Sequence, residues 1–123
     1  MTAFDRFLLI FGAGLICFGM CIYVTHVKAG ECGIASHYGT ESGRRTANGE
    51  PFPTREPTAA HRSLPFNSRV RVTDQRSGRS IVVRINDRGP FIRGRIIDLS
   101  PRAAQMLDMI DRGVIPVCIT VVR

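Results

Sequence analysis

Ile81-Val82-Val83-Arg84-Ile85-Asn86-Asp87-Arg88-Gly89-Pro90-Phe91 is the stretch that decides how this chain is read. Its apolar, β-branched beginning predicts a buried strand. The run ends in a carboxylate, then a cation, then a Gly-Pro turn, so it presents one acid at the rim of a folded core. Strand ends on a rigid scaffold are where catalytic groups concentrate. Just upstream, Arg69-Val70-Arg71-Val72-Thr73 alternates with period two, as a half-buried strand does. Between them Asp74-Gln75-Arg76-Ser77-Gly78 has turn composition, with Gly78 open to a positive φ. The two runs predict a hairpin.

Working outward, Gly33-Ile34-Ala35-Ser36-His37-Tyr38-Gly39 reads as a short strand and Arg95-Ile96-Ile97-Asp98-Leu99 as another. Ile115 to Val122 closes the chain as a β-branched strand. Ser100-Pro101 is the preferred pairing of N-cap and first helical residue. Ala103, Ala104 and Leu107 give that helix its apolar stripe, and Asp111-Arg112-Gly113 ends the segment. Thr40 to Pro57 is a long connection rich in Gly, Pro, Thr and charge, and connections of that length in small domains tend to be functional. Thr58 to His61 is expected to form one helical turn. Several short strands, one main helix and glycine-rich turns predict a mainly β domain, a small barrel with a helix packed on it.

The amino-terminal part is different in kind. Phe7 to Val24 carries no charge. Its length is at the lower limit for a membrane-spanning helix, roughly 18 residues, and an apolar helix of this sort also begins a secretory signal. Residues 1–29 are therefore expected to be a signal peptide or a membrane anchor, and residues 30–123 the folded domain. Val27-Lys28-Ala29 has the composition of a cleavage site. Either alternative predicts export, to the periplasm or cell envelope, with membrane contact only through an uncleaved amino-terminal segment. Cys17, Cys21 and Cys32 follow Ile16, Met20 and Glu31 rather than a small residue, which argues against a lipoprotein.

Cys32 and Cys118 form an even pair in an exported domain. They are expected to make a disulfide, the alternative being two separate buried thiols. No CxxC or HExxH spacing occurs, so neither a metal nor another cofactor is expected. The formal net charge is +7, and every strong cation beyond Lys28 is arginine. A basic surface suits an anionic polymer. Export argues for a carboxylate-bearing wall polymer and against nucleic acid. Most of the arginines, Arg69, Arg71 and Arg84 among them, are expected only to solvate exposed strand faces.

Taken in order, further blocks carry a resemblance. They are Ala35-Ser36-His37-Tyr38-Gly39, Thr46-Ala47-Asn48-Gly49-Glu50, Thr58-Ala59-Ala60-His61, Leu64-Pro65 and Val70-Arg71-Val72-Thr73. Ile85-Asn86-Asp87-Arg88-Gly89-Pro90-Phe91, Ile97-Asp98-Leu99-Ser100 and Ala103-Ala104 complete the set. The pattern resembles the rare lipoprotein A family, double-psi β-barrel lytic transglycosylases related to expansins, and covers essentially all of Gly33 to Val122. The resemblance implies a six-stranded double-psi β-barrel with one or two short helices. It also implies binding of peptidoglycan glycan strands in a surface groove; the domain is expected to be a monomer. Its implied reaction cleaves the bond between N-acetylmuramic acid and N-acetylglucosamine without water, leaving a 1,6-anhydro end.

The resemblance places Asp87 at the family's catalytic aspartate, His61 at its histidine and Glu50 at its groove glutamate. One carboxyl can serve as acid and then as base, so a non-hydrolytic enzyme does not strictly need two. Asp87 is expected in that role, with His61 bonded to Asp87 or to a sugar hydroxyl and Glu50 positioning substrate. Tyr38, Asn48, Asn86, Arg88 and Phe91 are the expected substrate contacts. The plainer alternatives are a turn-capping Asp87, a satisfied half-buried His61 and a solvated Glu50. Asp98 is expected to be structural. His37, where the family usually has tryptophan, and Pro53, where relatives often carry aspartate, are departures. A non-catalytic, expansin-like wall-binding module is the alternative function, and a basic domain that only adheres to anionic polymer is a third.

Overall fold

Alternation along the central hairpin divides its residues between inside and outside. On β3 (Arg69–Asp74) Val70 and Val72 are buried while Arg69 and Arg71 are exposed. On β4 (Ser80–Asp87) Ile81, Val83 and Ile85 enter the core. Val70 faces Val83 and Val72 faces Ile81 in an antiparallel pair. The turn between them uses Gly78 at φ +76°, a conformation that costs a residue with a Cβ. The structure is a computed structural model and describes residues 30–39, 45–52 and 54–122. The expected amino-terminal segment, residues 1–29, and Pro53 lie outside the described residues.

Four more strands complete the sheet: β1 (Glu31–His37), β2 (Thr58–Ala60), β5 (Arg95–Leu99) and β6 (Ile115–Val122). They close into a barrel in the order β1-β5-β2-β4-β3-β6. Two pairs, β1 with β5 and β2 with β4, are parallel, and the remaining four are antiparallel. Closure leaves the sheet without an unpaired edge. Inside it Ile85, Ile97, Leu99, Ile115, Val70, Val83 and Val117 are fully buried, and Leu107 and Met109 pack on from beyond the helix α1 (Pro101–Met106). The barrel expected from the sequence is therefore present.

Two expectations about local structure are corrected. Thr58–Ala60 is a strand, not a helical turn. It pairs with β4 on one side and β5 on the other, and all three residues are buried. Three residues are too few to show a period, and pairing on both sides overrides alanine's helical preference. The helix is also shorter than its stripe suggested. It ends at Met106, and Leu107 to Gly113 run as turns, with Asp108 at φ +56° and Gly113 at +77°. Ser100 caps it as expected: its Oγ accepts from Ala103 N at 3.2 Å.

Barrel closure at β1 is tight. A Cβ on Gly33 would lie 2.7 Å from Ile96 Cγ2 and 3.2 Å from the Gly94 carbonyl oxygen. One residue earlier, Cys32 stands opposite Cys118 on β6, and the two form the expected disulfide. Among the described residues no helix is long and apolar enough to cross a membrane.

Candidate active site

A β-bulge places the acid. Ala59 pairs with Ile85 but Ala60 pairs with Asp87, so Asn86 is an extra residue on β4. Strict alternation would send residue 87 inward behind Ile81, Val83 and Ile85. The inserted residue reverses the parity and turns Asp87 to the outer face, a use of bulges that recurs beside active sites. On that face Ala60 is flanked by Asp87 on one side and Asp98 of β5 on the other, and Asp98 in turn by Ser36 of β1. A row Ser36, Asp98, Ala60, Asp87 thus crosses four strands.

Among the described residues, a phenol and two backbone amides donate to the Asp87 carboxylate. Tyr38 Oη donates to Oδ2 at 2.9 Å, and the backbone N–H groups of Ala47 and Arg88 donate to Oδ1 at 2.9 Å each. The residue is 7% exposed. It is therefore oriented from both sides, by the end of β1 and by the first loop. Its neighbour Asp98 accepts a hydrogen bond from Ser36 Oγ at 3.1 Å. Burial pushes the Asp98 carboxyl above the usual carboxylate range, Ser36 pulls against the shift, and the nearby charge of Asp87 adds to it. Asp98, expected to be only structural, stands in the same row as the proposed acid.

The first loop is folded onto β4 by polar contacts. Asn48 N donates to the Asn86 carbonyl oxygen at 3.3 Å, and Asn86 Nδ2 donates to Glu50 Oε2 at 3.3 Å. Within the loop, Asn48 Oδ1 accepts from Thr46 Oγ1 at 2.6 Å and from Glu50 N at 3.1 Å, while its Nδ2 donates to Glu50 Oε1 at 2.8 Å. Arg84 completes the arrangement. Its Nη1 and Nη2 donate to the two Glu50 carboxylate oxygens at 2.6 and 2.8 Å, and the same guanidinium bonds Glu56 and Asn67. This bidentate pairing holds the Glu50 pKa down at about 2, against the opposing effect of burial. Glu50 is a fixed negative charge, not a proton donor. Arg84, expected to solvate a strand face, is a clamp; its partners come from a loop with no periodicity to announce them.

His61 is placed beside Asp87 by the backbone, its N–H donating to the Asp87 carbonyl oxygen at 3.2 Å. Its ring does not bond the Asp87 carboxylate as expected. Nδ1 accepts from the N–H groups of Ser63 and Leu64 at 3.1 Å each, and Nε2 lies 3.2 Å from Glu31 Oε1. The side chain of Arg88 turns away from Asp87, as an extended backbone requires. Its Nη1 donates to the carbonyl oxygens of His61 and Leu64 at 3.2 and 2.8 Å, and its guanidinium lies 4.0 Å over the Phe66 ring.

Among the expected substrate contacts, four make hydrogen bonds within the protein. Tyr38 holds Asp87 and packs edge-on against Phe52 at 5.3 Å between centroids. Asn48 and Asn86 hold Glu50, and Arg88 holds the 61–64 turn. Phe91 differs: it is 79% exposed, with exposed Ile92 beside it, past the Gly89-Pro90 cis bond that follows Asp87. Its face is available for stacking on a sugar ring. Among the described residues no group of three His, Cys, Asp or Glu is arranged to hold a metal ion.

Residues 30–119 match a family described as lytic transglycolase. The chain belongs to that family. Among lytic transglycolase relatives, a probable endolytic peptidoglycan transglycosylase RlpA of Nostoc sp. is 64% identical over 92 residues, which are 72% of this chain and 25% of the relative. The endolytic peptidoglycan transglycosylase RlpA of Campylobacter jejuni is 47% identical over 107 residues, 85% of this chain and 39% of its own length. The chain thus spans well under half of either relative. In three dimensions it is similar to an expansin of Clavibacter michiganensis, with TM-score 0.59 and 25% identity over 75% of this chain and 50% of the expansin. A Streptomyces papain inhibitor is similar too, with TM-score 0.60 and 27% identity over 79% of this chain and 99% of the inhibitor.

Proposed function

We propose that the protein is an exported, monomeric lytic transglycosylase acting on peptidoglycan glycan strands, with residues 1–29 serving as signal or membrane anchor. The observation that carries this reading is the bulge at Asn86, which presents Asp87 on the outer face, where Tyr38 Oη and the Ala47 and Arg88 amides donate to it. Family membership supplies the reaction class, and relatives named as endolytic peptidoglycan transglycosylases supply the substrate.

In the proposed step the Asp87 carboxyl proton passes to the oxygen linking N-acetylmuramic acid to N-acetylglucosamine, and the bond from that oxygen to the anomeric carbon breaks. The muramic acid C6 hydroxyl oxygen then bonds to the anomeric carbon, and its proton returns to Asp87. No water is consumed, so one carboxyl alternating between acid and base is sufficient. The Arg84-locked charge of Glu50 faces the positive charge that develops on the sugar ring, a form of preorganised electrostatic stabilisation. Asp98 offers a second carboxyl to the same face, and Phe91 a stacking surface.

The test is incubation of the full chain with purified sacculi, followed by mass spectrometry of the released ends. Anhydro-muramic ends are expected from the wild type, and Asp87→Asn is expected to lower their release by at least about 10²-fold with the fold intact. Unchanged release by the variant removes Asp87 from the mechanism. The second reading, a wall-binding module that does not cut, is favoured by the likeness to an expansin and to a protease inhibitor, because one barrel hosts several functions. Binding to sacculi with no new ends of any kind would select it.

A further inference from the structure

Backbone N–H groups donate and never accept. Two of them, from Ser63 and Leu64, point at His61 Nδ1. Nδ1 must therefore carry a lone pair, and in the neutral ring the single proton sits on Nε2. From there it is directed at Glu31 Oε1, 3.2 Å away. The residue is 6% exposed, so the ring is held in a largely buried setting. An imidazole arranged in this way has no vacant nitrogen with which to take a proton from substrate, and its N–H is already committed.

What the ring does instead can be followed outward. It closes the turn from His61 to Leu64, and the carbonyl oxygens at the two ends of that turn grip the Arg88 guanidinium. Arg88 N in turn donates to Asp87 Oδ1, and His61 N donates to the Asp87 carbonyl oxygen. The turn held by His61 thus fixes the backbone on both sides of the proposed acid. We propose that His61 is a neutral positioning residue locked as the Nε2–H tautomer, and that Glu31, at the start of β1, is the acceptor that keeps the ring in place. This rests on the reading of Asp87 as the acid/base, and it removes His61 from the proton path.

Two measurements on the full chain decide it. Nitrogen-15 NMR of the imidazole is expected to show Nδ1 unprotonated and Nε2 protonated; the reverse tautomer overturns the proposal. This readout needs no turnover, so it stands even if the protein releases no anhydro ends and the transglycosylase reading fails. The second measurement uses amide substitutions. Glu31→Gln keeps an acceptor for Nε2–H and is expected to remain within about threefold of wild-type release, since one neutral hydrogen bond replaces another. If Glu31 instead stabilised a transient imidazolium, the amide would cost on the order of 10⁴-fold, as in a serine-protease triad, and the proposal would be wrong. His61→Asn places an amide oxygen where Nδ1 accepts, and is expected to retain at least about tenfold more release than His61→Ala. Equal inactivity of the two, with both as thermally stable as wild type, would also overturn it.

Discussion

Asp87 and Glu50 are both carboxylates on one face, and their surroundings separate their roles. Asp87 is gripped by a phenol and two amides, and Glu50 by a guanidinium in bidentate contact. Because the Glu50 pKa falls from 4.5 to about 2 on folding, its contribution to stability is complete above pH 4.5 and is lost as the pH falls towards 2. Glu50→Gln is expected to lower unfolding free energy at pH 7 by about 1–2 kcal/mol, discounted for partial solvent screening. Urea titrations at pH 7 and near pH 2 should show the difference between wild type and variant closing at the lower pH. The sequence displayed Glu50 and Asp87 as candidates through the ordered motif blocks. It did not display Arg84 as the partner of Glu50, or Glu31 as the partner of His61, since an arginine within a strand and a glutamate at a strand start look like ordinary surface charge.

At the level of elements, β2 joins the halves of the site. Only three residues long, it places Ala60 between Asp87 and Asp98, and Ala is small enough to leave the two carboxyls facing outward across it. Ser100 anchors this strand to the helix: its Oγ accepts from Thr58 N at 3.1 Å as well as from Ala103 N. Ser100→Ala therefore removes a helix cap and leaves a buried Thr58 N–H without its partner. The two losses together should cost about 2–4 kcal/mol, measurable as a lower denaturation midpoint with an unchanged slope. The cap was legible, because Ser-Pro before an alanine-rich stripe is a local signal. The second use of the same oxygen was not, because Thr58 lies 42 residues away in sequence.

Across the whole molecule, the bond between Cys32 and Cys118 ties the first strand to the last over a separation of 86 residues. A loop of that length corresponds to about 4–5 kcal/mol in the chain-entropy model, a large share of the stability of so small a domain. The reduced protein, or Cys32→Ser with Cys118→Ser, is expected to unfold at markedly lower denaturant than the oxidised form, with β1 and β6 losing amide-exchange protection first. Equal midpoints would show that the β1–β6 ladder alone suffices to close the barrel.

Period-two alternation, turn composition and the Ser-Pro cap are local properties, and they determined by themselves the hairpin, the later strands and a mainly β domain with a helix against it. The order of the motif blocks singled out Asp87 and Glu50 among the acids. Tertiary structure alone decided which way those acids face. The bulge at Asn86 exists only as a mismatch between β2 and β4, β2 becomes a strand only by being paired on both sides, and the protonation site of His61 follows from amides held in a particular turn. Each of these depends on contacts between chain segments, which no single stretch of sequence encodes, and so the fold was largely readable while the geometry of its candidate site was not.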